Sequence, residues 1–154
     1  MRVSVALAAC AFLYDPRGRV LLVRCRDRPD TWEPPGGAVE DGEDPGAAAA
    51  REVLEETGLH AALLGCSGAY WNTRAPRLCL AFVGRADGPP RPSAETPGVA
   101  WFSPTEADQA IARPALHLRW EDAQAARTGR PAGYAVYRST PFVLLGRLAS
   151  AGGR

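Results

Sequence analysis

The sequence contains no lysine, so all 18 of its basic residues are arginines. With abundant alanine, 16 glycines and 14 prolines, this bias indicates a GC-rich coding sequence rather than a chemical requirement. The arginines form no basic stripe, and we therefore expect no stable binding to long nucleic acid. No apolar run approaches the roughly 20 residues of a membrane span, so we expect no membrane-spanning helix. The first residues enter a strand-like run without a cleavable signal pattern, which predicts a cytoplasmic protein.

Cysteine and histidine are also scarce, with four and two residues respectively. The cysteines show no C-x-x-C spacing, and neither histidine stands at the distance expected of a zinc ligand. Cys10, Cys25 and Cys79 fall in strand-like apolar segments. The pattern predicts free, buried thiols, without a disulfide framework or a zinc site.

Length and element order predict one α/β domain over residues 1–154. Apolar runs indicate strands at 3–13, 20–24, 61–64, 68–72, 78–84 and 99–102. Helices are expected at 45–57, from 104 and at 115–127, with a Pro/Gly-rich loop at 86–98. Residues 134–148 predict a terminal strand or strand-helix unit, and 150–154 a loose end. This order fits a mixed sheet between helices.

The segment 37–59 carries the strongest functional pattern in the chain. Asp44 and Pro45 predict a helix start, and Gly58 predicts its end. The helix places three glutamates on one face at positions i, i+3 and i+4. Alanine and other small or apolar residues occupy the opposite face, which is expected to pack on the sheet. The glutamates are Glu52, Glu55 and Glu56, and the expected packing residues are Ala47, Ala50, Val53, Leu54 and Thr57.

The concentration of negative charge needs a physical explanation. Residues 40–56 hold seven acidic side chains and one cation, Arg51. Like charges at these helical spacings repel, and a hard divalent cation with oxygen ligands relieves that repulsion. A solvated acidic face on a surface helix is the other interpretation, and it is the commoner origin of glutamate runs.

The full spacing favours the cation. The pattern G-x5-E-x7-R-E-U-x-E-E-x-G-U, with U a bulky aliphatic residue, resembles the Nudix box, and every defining position is filled. The matching residues are Gly37, Glu43, Arg51, Glu52, Val53, Glu55, Glu56, Gly58 and Leu59. The preceding Trp32-Glu33-Pro34-Pro35-Gly36-Gly37 resembles the turn that often precedes the box. The resemblance implies the Nudix fold, an α/β/α sandwich with a mixed sheet.

The resemblance also implies roles for individual residues. Glu52 and Glu56 would bind Mg²⁺, or Mn²⁺ in its place, joined by a backbone carbonyl oxygen of Gly37 or Gly36. Glu55 would bind a further metal ion or help to deprotonate water. Arg51 would orient the carboxylates, and Glu43 would serve as a secondary glutamate that organises water or structure.

Outside this segment, Glu95 resembles an acidic loop position that adds a metal ligand or a base in MutT-type relatives. A solvated loop glutamate explains it equally well. Aromatic and basic residues near the middle of the chain could stack on a base and contact phosphate. These are Tyr70, Trp71, Asn72, Arg74 and Arg77. The late-helix residues Arg119, Trp120, Glu121 and Asp122 could close the pocket, and amphipathic packing explains them equally well.

The implied function is metal-assisted hydrolysis of a phosphoanhydride bond in a nucleoside diphosphate linked to another group. The implied partner is a small nucleotide derivative. A non-catalytic nucleotide sensor with the same fold is the alternative. Such proteins usually lose one or more of the box carboxylates, whereas this chain has them all. Homodimers are common among Nudix proteins, but no sequence feature specifies one here.

Overall fold

The computed structural model describes residues 1–148. The predicted loose end at 150–154 lies outside them. Within the described residues, eight strands and three helices follow one another along the chain. The strands are β1 (Ala6–Tyr14), β2 (Val20–Arg24), β3 (Gly36–Ala38), β4 (Ala62–Asn72), β5 (Arg77–Arg85), β6 (Gly98–Phe102), β7 (Gly133–Arg138) and β8 (Val143–Leu148). The helices are α1 (Pro45–Thr57), α2 (Pro104–Ala110) and α3 (Pro114–Ala126).

The strands form a mixed sheet in the order β6-β2-β1-β5-β4-β7-β8, with β3 paired to β1. The pairs β1–β5 and β4–β7 are parallel, and the remaining pairs are antiparallel. Strand β1 pairs with β2 at Tyr14 but with β3 at residues 8–10. The sheet therefore divides along β1, and β3 enters at this division.

Helices cover both faces of the sheet. Alternation along β1 directs Ala9, Ala11 and Leu13 toward α1, whereas Phe12 and Tyr14 pack with α2 and α3. The result is a helix-sheet-helix sandwich, which confirms the predicted fold class. No helix among the described residues is both long and apolar enough to cross a membrane.

Helix α1 begins and ends where the sequence predicts. The Asp44 side chain accepts a 3.0 Å hydrogen bond from the backbone N–H of Ala47. At the other end Gly58 adopts φ 74°, a left-handed conformation that favours glycine. Because both signals depend on local sequence alone, they could be read without knowledge of the tertiary structure.

The predicted packing face of α1 was partly wrong. Leu54 is 43% exposed, and Ala47 is exposed as well. The helix packs on β1 mainly through small side chains such as Ala48 and Ala49, which lets the two elements lie close together. Relative to the prediction, the helix is rotated about its axis, so that Glu56 is buried. The buried residues of α1 are Ala48, Ala49, Val53, Glu56 and Thr57.

Other elements differ in detail from the prediction. Strand β3 was not predicted, and the expected strands at 61–64 and 68–72 are one strand, β4, with register shifts near Gly65. Residues 134–148 contain no helix, because β7 and β8 form an antiparallel pair. All four cysteines are free, as predicted. Cys10 and Cys79 are buried as expected, whereas Cys25 is half-buried and Cys66 is exposed.

Candidate active site

Strand β3 and helix α1 meet at Gly37 and Glu52. In the β1–β3 pairing, Gly36 lies opposite Cys10 and Gly37 lies opposite Ala9. A Cβ atom at Gly36 would overlap atoms of Ala9 and Cys10, and one at Gly37 would overlap the Glu52 carboxylate. At Gly36 the obstacle includes main-chain atoms, so glycine is required there, whereas a larger residue at Gly37 would have to displace the Glu52 carboxylate. The Glu52 carboxylate is therefore held directly against the main chain of β3.

Glu56 lies one turn further along α1 and is almost fully buried, with 6% of its surface exposed. Burial, followed by the adjacent Glu52 carboxylate, raises the pKa of Glu56 well above its ordinary value. Among the described residues, its Oε2 atom is buried without a hydrogen-bond partner. Two acidic groups that share a buried edge disfavour a second negative charge, and a cation between them removes that penalty.

Arg51 holds the acidic residues that surround this pair. Its Nη1 atom lies 3.1 Å from Glu52 Oε1 and 3.3 Å from Glu55 Oε1. Its Nε donates to Glu43 Oε1 at 3.0 Å, and its Nη2 donates to the carbonyl oxygen of Ala38 at 3.1 Å. Arg51 thus connects α1, the entering loop and β3.

The three glutamates of α1 are not equivalent. Glu55 is exposed and bound to Arg51 at the rim, whereas Glu56 is buried and Glu52 lies between them in exposure. The three glutamates lie on one side of the helix, as their spacing predicts, but their solvent exposure decreases from Glu55 to Glu52 to Glu56. One helical turn therefore presents an exposed, a half-buried and a buried carboxylate.

The loop before β6 is attached to the end of α1. The buried Thr96 hydroxyl donates a 2.9 Å hydrogen bond to the main-chain carbonyl oxygen of Glu56. Ser93 and Thr96 are linked by a further 2.7 Å hydrogen bond. Glu95, the predicted loop carboxylate, is exposed, and its own carbonyl oxygen accepts from the backbone N–H of Arg26. The main chain next to Glu95 is therefore fixed near the buried carboxylates.

Two residues near this centre were not predicted as functional. Glu33 is buried at 9% exposure and accepts from Arg28 Nε at 3.0 Å and Nη2 at 2.8 Å. This forked ion pair raises the pKa of Arg28, and the Glu33 charge contributes to the raised pKa of Glu56. The sequence shows Glu33 beside the Pro-Gly-Gly turn, but its pairing with Arg28 depends on the β-bridge between Val23 and Glu33.

A cavity of about 590 Å³ lies on the α3 face of the sheet, and no glutamate of α1 is among its described lining residues. Its wall includes Gly36, Gly37 and Glu33, so it is continuous with the turn against which Glu52 lies. This volume falls within the range of small-molecule sites. Further parts of the wall come from β1, the ends of β4 and β5, α3, β7 and the β7–β8 connection. Its basic members are Arg28, Arg77, Arg113 and Arg119.

The predicted substrate-contact residues separate into different environments. Asn72 and Arg77 line the cavity. Tyr70 does not: it is fully buried, and its hydroxyl donates to Asp122 Oδ2 at 2.7 Å, so we assign it to the core. Trp71 follows on the opposite face of β4, because side chains alternate along a strand. Arg74 donates to the carbonyl oxygen of Thr140 at 2.7 Å and holds that loop.

The late-helix residues divide in the same way. Arg119 lines the cavity, whereas Trp120 packs in the core against Phe12 with ring centroids 5.9 Å apart. Asp122 is buried and accepts from Arg147 as well as from Tyr70. The contacts of Trp120 and Asp122 are therefore those of residues that stabilise the fold.

The residues present fit a hard divalent cation. Among residues 1–148, no three His, Cys, Asp or Glu side chains form a ready metal-binding group. Glu52 and Glu56 nevertheless offer adjacent carboxylates, including the unpartnered Oε2, beside the main chain of Gly36 and Gly37. Mg²⁺ typically takes one or two carboxylates and completes its shell with water and phosphate oxygens, so this smaller set suits it.

The fold, with this acidic helix packed on one face of the sheet, defines a Nudix-type domain. The family model for the NUDIX domain matches residues 5–123. A MutT-like protein of Streptomyces ambofaciens is 37% identical over 110 residues, which cover 71% of this chain and 70% of that protein. The chain belongs to the Nudix family of hydrolases, which confirms the predicted family and enzyme class.

Other relatives share shorter segments or the fold alone. An RNA pyrophosphohydrolase of Rhodospirillum rubrum is 44% identical over 59 residues, covering 38% of this chain and 36% of that protein. A crystal structure of a NUDIX hydrolase from Nitrosomonas europaea superimposes with a TM-score of 0.78 at 21% identity. That superposition covers 90% of this chain and 81% of the other. At this identity the similarity concerns the fold.

Proposed function

We propose that the protein is a Mg²⁺-dependent hydrolase of a phosphoanhydride bond in a nucleoside diphosphate linked to another group. The observation that carries this proposal is the buried Oε2 of Glu56 beside Glu52, which has no hydrogen-bond partner within residues 1–148. Glu52 in turn lies against Gly37, which lines a cavity of small-molecule size. The name of the RNA pyrophosphohydrolase relative supports the bond type. The free thiols support a reducing, cytoplasmic compartment.

In the proposed site, Glu52 and Glu56 hold the metal ion, with a carbonyl oxygen of Gly37 or Gly36 as a further ligand. A bound divalent cation neutralises phosphate charge and lowers the pKa of water, which makes a diphosphate open to attack. Mn²⁺ has similar oxygen preferences and serves in its place. Arg51 keeps the glutamates in register through its contacts with Glu43, Glu52 and Glu55.

Two carboxylates are proposed to handle the proton of the attacking water. Glu55 is 57% exposed at its side chain and lies one position from the buried ligand Glu56. Glu95 lies in the loop before β6, and the next residue, Thr96, donates a hydrogen bond to the end of α1. Each would accept a proton at a carboxylate oxygen, and the Glu43 carboxylate would orient water at the loop entrance.

A substrate panel tests the proposal. It contains nucleoside triphosphates, nucleotide sugars, dinucleotides linked through phosphates, and a short RNA with a 5′-triphosphate, each with Mg²⁺, Mn²⁺ or EDTA. We expect hydrolysis of at least one class that needs the metal ion, detected by ³¹P NMR of the products. Tight, metal-dependent binding without turnover of any compound would contradict the proposal and favour the sensor.

A further inference from the structure

Arg119 on α3 is positively charged, and no carboxylate within residues 1–148 forms a salt bridge with it. Its Nη2 atom donates to the Tyr137 hydroxyl at 3.0 Å, and its guanidinium carbon lies 5.3 Å from the centre of the Tyr70 ring. Its Nε atom is buried and has no hydrogen-bond partner among residues 1–148. Because arginine stays protonated in proteins, this is a half-buried cation whose buried Nε lacks a hydrogen bond within the described residues.

The other buried or bound arginines of the cavity are neutralised. Arg28 forms a forked pair with Glu33, and Arg113 forms one with Asp30 at 2.8 and 2.9 Å. Asp122, three residues after Arg119, is used by Tyr70 and Arg147. The contrast shows that carboxylates are supplied on this side of the molecule, but none of the described ones pairs with Arg119.

Arg77 adds a second unneutralised charge to the same cavity. It begins β5, its surface is exposed, and no carboxylate within residues 1–148 forms a salt bridge with it. Arg77 and Arg119 both line the wall that continues to Gly36 and Gly37. An anionic group that entered the cavity could therefore be joined covalently to a diphosphate placed at the carboxylates of α1.

We propose that this cavity is an anion subsite, in which Arg119 is the half-buried counter-charge and Arg77 the rim contact. Because this assignment rests on the proposed function, it specifies the substrate class: the group bound here carries a phosphate or carboxylate of its own. An ion pair with such a group supplies the missing partner of Arg119 Nε. Nucleotide derivatives with a neutral group at this position lack the binding free energy of this ion pair and leave the Arg119 cation unpaired.

Pyrophosphate binding without metal tests the subsite independently of catalysis. We would titrate inorganic pyrophosphate into the protein in EDTA by calorimetry, because the unscreened carboxylates of α1 repel this probe from the metal centre. Arg119→Gln and Arg77→Gln are each expected to weaken binding about tenfold or more, the loss typical of a charge-assisted hydrogen bond. Arg119→Lys should restore part of the affinity.

Arg85 provides the matched control, because it ends the same strand that Arg77 begins and lies outside the cavity. Arg85→Gln should bind pyrophosphate as the wild type does. Equal losses in all three Gln variants would show a general effect of net charge and overturn the proposal. Arg77→Gln, an exposed change, keeps the test decisive if Arg119→Gln fails to fold.

An internal counter-charge is the competing arrangement. The thiols of Cys10 and Cys79 lie 3.9 Å apart in the cavity wall. The hydrogen bond with Cys10, and to a lesser extent the Arg119 cation, lower the pKa of Cys79. If a Cys79 thiolate neutralised Arg119, the wild type would ignore pyrophosphate and Cys79→Ala would bind it. The proposal predicts comparable binding by both proteins.

Matched substrates then connect the subsite to turnover. UDP-glucuronate and UDP-glucose differ by one carboxylate, and coenzyme A and its dephospho form differ by one phosphate. We expect kcat/KM to favour the charged member about tenfold, and this ratio to fall toward one in Arg77→Gln. An unchanged ratio overturns the subsite, whereas pyrophosphate binding without turnover of any compound counts against the proposed function alone.

Discussion

The hydroxyl of Thr96 donates a 2.9 Å hydrogen bond to the main-chain carbonyl oxygen of Glu56, which joins the loop before β6 to the last turn of α1. Thr96 is 1% exposed, so solvent cannot replace this contact. The same residue bonds with Ser93 and sets the path of the main chain at Glu95. A tertiary hydrogen bond thus brings together two parts of the proposed site that are distant in sequence.

Thr96→Val should therefore destabilise the protein by about 1–3 kcal/mol, because it removes a buried donor and leaves two oxygens without their partner. Urea unfolding measures the change. Thr105→Val, at an exposed position of α2, is the control and should stay within about 0.5 kcal/mol of the wild type. Equal effects of the two substitutions would show that the Thr96 hydrogen bond contributes nothing.

Gly37→Ala should reduce activity without unfolding the protein. The new Cβ would overlap the Glu52 carboxylate and push it from β3, so we expect Mg²⁺ affinity to fall about tenfold or more. Activity against Mg²⁺ concentration measures this, with circular dichroism as the check of folding. Gly65→Ala is the matched control, since its Cβ would meet no atom within 4 Å. Unchanged Mg²⁺ dependence in Gly37→Ala would contradict the packing described for Glu52.

Arg51→Gln should lower the melting temperature of the metal-free protein, because the repulsion among Glu43, Glu52 and Glu55 then lacks its central cation. Saturating Mg²⁺ should recover more stability in this variant than in the wild type. Arg113→Gln removes an exposed forked pair with Asp30 and is expected to cost about 0–1 kcal/mol with no Mg²⁺ dependence. A similar, metal-independent loss in Arg51→Gln would argue against its orienting role.

Tyr70→Phe separates packing from substrate contact. The variant loses the buried hydrogen bond to Asp122 and should be destabilised by about 1–3 kcal/mol, while KM and kcat stay close to wild-type values. Tyr134→Phe, at a position 41% exposed, is the control for stability. A raised KM with unchanged stability would return Tyr70 to the substrate site predicted from sequence.

The residues that could be predicted from sequence are those whose signal is local. The ends of α1 follow from Asp44, Pro45 and Gly58, and the i, i+4 spacing of Glu52 and Glu56 follows from the helix itself. The buried side of α1 is set by the close packing of Ala48 and Ala49 on β1. The sequence could not indicate that Leu54 turns outward and Glu56 inward.

Features that depend on tertiary pairing were missed. Strand β3 consists of Gly36, Gly37 and Ala38, which have little preference for extended structure and pair only because β1 is adjacent. For Arg119 the sequence allowed a pocket-closing role and amphipathic packing equally, and it gave no means of choosing between them. The importance of this arginine appears only when the partners of Arg28, Arg113 and Asp122 are known.

The central claim is that Glu56 is a buried ligand for a divalent cation. Calorimetric titration of Mn²⁺ into Glu56→Gln tests it most directly, with exposed Glu121→Gln as the control and hydrolysis measured on the same samples. We predict a folded Glu56→Gln variant whose cation affinity and hydrolysis fall by more than the roughly 10–100-fold typical of losing an outer partner of a metal ligand. Wild-type cation affinity and turnover in Glu56→Gln would contradict the account.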